Sequence, residues 1–135
     1  MLSSIIGISS AAFLIVLLMM LKGSDRQVVY GLVLTGIGFL YIGFTWTDLT
    51  SLLITATQAF VFLVIAWYGI KKSMYVLAVG YFLHGSWDLA YEFLSMPDLI
   101  PPHYDLFCLS FDFTVGIYLL FLARKTLAAT AIKGT

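Results

Sequence analysis

Every basic residue of this chain falls in alternate gaps between five apolar runs, and the gaps in between hold none. Lys22 and Arg26 follow the first run, Lys71 and Lys72 the third, and Arg124, Lys125 and Lys133 the fifth. Six of the seven acids, Asp48, Asp88, Glu92, Asp98, Asp105 and Asp112, lie toward the opposite side. Cytoplasmic loops of membrane proteins collect Lys and Arg. The alternation therefore predicts an all-α polytopic membrane bundle of five transmembrane helices, with the N-terminus outside and the C-terminus cytoplasmic. A four-span reading that fuses the second and third runs would split the basic residues between the two sides.

A span needs roughly 20 mostly apolar residues to cross about 30 Å of hydrocarbon. The expected spans are Leu2–Leu21, Val28–Thr45, Thr50–Ile70, Met74–Ser95 and Leu106–Ala123, within one domain covering residues 1–135. Lys22–Gln27 reads as a polar turn, Trp46–Leu49 and Lys71–Ser73 as tight turns, and 124–135 as a short cytoplasmic tail. Pro97, Pro101 and Pro102 cannot continue a helix and mark the gap before the fifth run. The first run lacks a basic start and a small-residue cleavage site, so it reads as a span and not as a signal peptide. Open sheets are excluded from lipid, and runs of this length do not make a barrel.

Composition agrees. The chain is 61% hydrophobic and 10% charged, against about a quarter charged for soluble domains. The expected location is the cell (plasma) membrane, multi-pass. Zero formal net charge gives no basis for nucleic-acid binding. A single cysteine, Cys108, forbids an internal disulfide. The partners this pattern admits are the lipid bilayer, a lipophilic ligand, and further copies of the chain or a larger membrane complex. Gly31, Gly36, Gly38 and Gly43 in the second run suit close helix packing.

The fourth run reads YFLHGSWDLAYEF, with His84, Asp88 and Glu92 spaced i, i+4, i+8 along one helical stripe. Each such group costs roughly 2.5–3.5 kcal/mol within a membrane on insertion scales. With a rise of about 1.5 Å per residue, His84 sits near the midplane, Asp88 about 10 Å, Asp112 about 9 Å and Gln58 about 12 Å from their outer ends. Asp48 lies at the outer mouth. Common depth predicts an outward-facing polar pocket. His84, Asp88 and Asp112 are the candidate catalytic residues, and Asp48, Gln58, Tyr81, Trp87, Tyr91 and Cys108 line the pocket. His titrates near neutrality and can pair with carboxylates as general acid and base. His84, Asp88, Glu92 and Asp112 would also make an acceptable N/O metal-ligand set. For single residues the plain readings stand beside these: Glu92 at the interface, Cys108 as core, Trp46, Trp67 and Trp87 as aromatic belt, and His103 as a solvated loop residue.

The segments GIGFLYIGF (Gly36–Phe44), an acid at Asp48, VGYFLHGSWDLAYEF (Val79–Phe93), a proline loop and CLSFD (Cys108–Asp112) resemble a family of small prokaryotic integral membrane proteins classed only as a domain of unknown function. His84, Trp87, Asp88, Cys108 and Asp112 match its pattern. The family's usual glutamate is Asp48 here, and its His pair is replaced by Tyr91 and Glu92. The resemblance implies a membrane bundle and no activity. A looser likeness, in architecture and residue type alone, is to five-span sterol isomerases, which move protons on a lipid with acids, a His and a Trp.

Three functions remain open on the sequence. One is a pocket protein, enzyme or binder, acting on a lipophilic small molecule by acid–base chemistry. Another is an accessory subunit of a larger membrane complex. The third is proton or metal-ion transport, for which the inner half offers no matching line of ionisable residues. No particular cofactor is indicated.

Overall fold

Lipid leaves a backbone no outside partner for its N–H and C=O groups, and helices satisfy them within the segment. The computed structural model describes residues 1–93 and 99–133, apart from the side chains of Glu92 and of 130–133. Five helices account for nearly all of it: α1 (Leu2–Leu18), α2 (Gly23–Thr45), α3 (Leu49–Lys72), α4 (Met74–Phe93) and α5 (Tyr104–Lys133). No strand occurs among the described residues. Glu92 as a side chain, Asp98 and Pro97 lie outside the described residues.

The helices outrun the apolar runs at two places. Gly23–Gln27, expected as a turn, is the start of α2. Its polar residues are held there by tertiary contact: the Gln27 carboxamide donates to the carbonyls of Gly69 and Ile70 at 2.8 and 3.1 Å, closing the C-terminal end of α3. The segment expected as a tail is the continuation of α5, with Arg124 and Lys125 on exposed helix. α1 ends early, at Leu18, before a turn into Lys22.

α2 packs on α3, α3 on α4, α4 on α5, and α5 on α1, while α2 also touches α4. Gly7 of α1 lies against the Phe107 carbonyl of α5, an approach no Cβ would permit. In α2 the glycines divide: Gly31 and Gly38 face Ile70 and Phe62 of α3, whereas Gly36 and Gly43 face open space. The basic ends gather in one crevice of about 340 Å³ lined by Gly23, Gln27, Lys72, Ser73 and Thr126 among others. At the opposite end Phe44 and Tyr104 meet at 5.0 Å, bringing the end of α2 to the start of α5.

Burial is inverted relative to a soluble protein. Phe13, Leu32, Phe60, Trp67, Phe93, Ile117 and Phe121 are exposed, while Thr45, Ser51, Thr55, Gln58, His84, Asp88 and Asp112 are buried. Among the described residues three helical stretches, Gly23–Thr45, Leu49–Lys72 and Tyr104–Ala129, are long and apolar enough to cross a membrane. α1 is an apolar helix of 17 residues, and α4 carries the ionisable stripe. Membrane association follows from these apolar helices and the apolar exterior.

Candidate functional site

The inward stripe of α4 runs Leu77, Ala78, Tyr81, His84, Asp88 and Tyr91, all buried. That of α5 runs Cys108, Asp112, Val115, Leu119 and Ala123. Helical spacing thus sets His84 and Asp88 one turn apart on a face that meets Asp112. The two helices meet closely because Gly85 follows His84. A Cβ at Gly85 would stand 3.3 Å from the Asp112 Cβ and 3.1 Å from the Phe113 ring.

His84 Nδ1 lies 2.8 Å from Asp112 Oδ2 and 3.4 Å from Asp88 Oδ2. Only the Asp112 contact is a hydrogen bond. One ring nitrogen carries at most one proton, so it satisfies one carboxylate. Both oxygens of Asp88, Oδ1 of Asp112 and Nε2 of His84 are buried without a hydrogen-bond partner. No Lys or Arg pairs with either carboxylate among the described residues.

Aromatic rings enclose the group. Phe62 of α3 stands edge-on to the His84 ring at 4.8 Å, and Tyr41 of α2 at 6.3 Å. Tyr41 also packs on Tyr91 at 5.5 Å and on Tyr104 at 6.0 Å, which roofs the site toward the acidic end. The Tyr41 hydroxyl is buried and unpartnered, within the field of Asp88.

On its other flank α4 borders a groove of about 680 Å³ against α3. Leu53, Val61, Ile65 and Leu83 make its walls apolar, and Gln58, Phe62 and Trp87 reach its floor. Both polar atoms of the Gln58 carboxamide and the Trp87 indole N–H are buried without partners. Phe62 belongs both to the groove and to the rings around His84, so one side chain separates the two.

The remaining candidates are placed individually. Tyr81 is buried and donates its hydroxyl to the Tyr30 carbonyl at 2.8 Å. Cys108 is buried one turn from Asp112, beside Tyr104. Asp48 caps α3 instead, accepting from the Ser51 N–H at 2.8 Å; that bond holds its carboxyl below the ordinary value. His103 is exposed in the loop, with φ of 65°. Sequence reasoning did not single out Phe62, Tyr41 or Gly85. Phe62 sits one helical turn beyond Gln58 on the same face, which is the one signal that pointed to it.

Residues 2–125 match a family described as a family of unknown function (DUF6010). The chain belongs to that family. No curated protein and no solved structure matches it.

Proposed function

We propose that this is an integral membrane protein whose five helices all cross the bilayer, N-terminus outside, and which binds and converts a lipophilic small molecule by acid–base chemistry at His84, Asp88 and Asp112. The basic ends of α2, α3 and α5 in one crevice support that orientation, because basic segments stay on the cytoplasmic side. A periplasm-active reporter fused after Thr135 should be silent, and activity there would overturn the topology.

The observation that carries the functional reading is the groove between α3 and α4, one ring away from a buried histidine flanked by two aspartates. Its mouth opens among lipid-facing side chains, so an apolar molecule reaches it without passing through water. Gln58 and Trp87 line it, with the Gln58 amide and the Trp87 N–H buried behind its surface without partners. Ligand pockets combine apolar walls with a few placed polar groups in this way. A proton-exchanging centre beyond Phe62 supplies the reactive part.

Trp87 reports on the groove directly. With Trp46 and Trp67 changed to Phe, dibrominated stearic acid in detergent micelles should quench Trp87 saturably. Thr57→Phe, which fills the groove, should remove the saturable part. Quenching that rises linearly and ignores Thr57→Phe would mean mere partition into the micelle and would defeat the reading.

A further inference from the structure

We infer that His84 Nδ1, Asp88 Oδ2 and Asp112 Oδ2 are the ligands of one divalent metal ion of the zinc or manganese class. The inference deepens the acid–base centre proposed above and takes only its location from that reading.

The ligand atoms of these three buried residues lie within 4.8 Å of one another. Two of the separations are 2.8 and 3.4 Å. Ligands about 2.0 Å from a tetrahedral zinc stand about 3.3 Å apart. An octahedral ion with bonds of about 2.1 Å spaces neighbouring ligands about 2.9 Å apart. Both separations fit donors sharing an ion as well as donors sharing a proton, and the two carboxylates, within 4.8 Å of each other, would close to at most about 4.2 Å around the ion. The two separations are set by the helical i, i+4 spacing of His84 and Asp88 and by the α4–α5 approach at Gly85.

A shared proton leaves this arrangement unfinished. It satisfies Asp112 and leaves Asp88, 1% exposed, with neither oxygen bonded. If both carboxylates are ionised beside a neutral imidazole, no Lys or Arg among the described residues balances them, and protons or a metal ion must do so. Buried charges are paired or bind metals. A divalent ion answers both deficits at once, neutralising the pair and bonding Asp88. The imidazole nitrogen disfavours magnesium and calcium, which take oxygen donors, and the absence of a thiolate from the set disfavours copper(I). Three protein donors leave a position open, the arrangement of catalytic sites and not of structural ones. With the ion bound, water at the open position becomes the acid–base group.

The test uses the full chain, purified in mild detergent, stripped with chelator and titrated with Zn2+, Mn2+ or Mg2+. One Zn2+ should bind per chain, and Co2+ should give visible bands of a nitrogen–oxygen site. Asp88→Asn and Asp112→Asn should each weaken Zn2+ binding by at least the roughly 10–100-fold that even outer-shell changes cost, while Asp48→Ala binds normally. No Zn2+ uptake by the wild type, unchanged affinity in both Asn variants, or preference for Mg2+ would overturn the inference. If an Asn variant fails to fold, the wild-type stoichiometry and Co2+ spectrum still decide. Quenching of Trp87 by the brominated acid, measured on the same stripped protein, keeps the outcomes apart. Groove binding without metal uptake defeats the ion alone; metal uptake without saturable quenching defeats the lipophile alone.

Discussion

The two flanks of α4 solve opposite problems with the same helix. Toward α5 the backbones close in, because Gly85 meets Asp112 and Phe113, and Gly116 lies under the Phe82 ring. That seam buries ionisable groups completely. Toward α3 the helices meet closely near the basic end, where Gly69 faces Leu77 and Gly80 faces Ile65. Nearer the acidic end the large Phe62 and Trp87 stand between them, and a groove opens. Small residues decide where these helices close on one another and where a groove opens. The polar groups divide accordingly: charged donors in the sealed flank, neutral hydrogen-bonding groups in the open one.

The seam breaks most readily at Gly85. Gly85→Val drives a branched side chain into Asp112 and Phe113, and overpacking of this kind costs about 1–3 kcal/mol. The expected result is a lower melting temperature together with weakened metal binding. A variant that melts lower yet keeps Zn2+ affinity would show that the close approach does not position Asp112. The groove flank should respond far less. Thr57 is an exposed groove residue, and substitutions at such surfaces usually stay within about 0.5 kcal/mol. Thr57→Phe should therefore abolish saturable quenching with little change in melting. Equal destabilisation by both variants would erase the distinction between the flanks.

The smallest effect belongs to a carboxylate outside both. Asp48 caps α3, and its folded-state value lies below the ordinary 3.8. A depressed value stabilises the fold above 3.8, and that contribution is lost as pH falls through the lower folded value. The melting difference between wild type and Asp48→Ala should be largest near neutrality and narrow below about that pH. A difference that is flat across the acid range would show that charge plays no part in the cap.

Much of the helical layout was legible because its signals are local. Prolines mark one gap, basic residues mark two, and Asp48 marks the fourth. The stripe of His84 and Asp88 follows from helical periodicity, and the depth of Asp112 from counting residues inward. What escaped depends on neighbours far along the chain. Gly23–Gln27 is polar enough to read as a turn, yet Gln27 belongs to a helix because its carboxamide has carbonyls of α3 to bind. Residues after Ala123 continue a helix that apolar counting ends. The early stop of α1 at Leu18 has no marker comparable to a proline. Phe62 and Tyr41 look like any lipid-facing aromatic until α2, α3 and α4 are brought together. The groove could not be read at all, because it depends on how far apart two helices stand.

α1 packs on α5, so it finds its main partner only after the three helices between them have been made. A ribosome emits α2, α3 and α4 in an order that lets each dock on its predecessor. Until then Gly7 of α1 stays uncovered. Assembly of these five helices therefore ends when α5 covers α1. A truncation that removes α5 leaves Gly7 of α1 without the Phe107 and Ser110 surface it packs on.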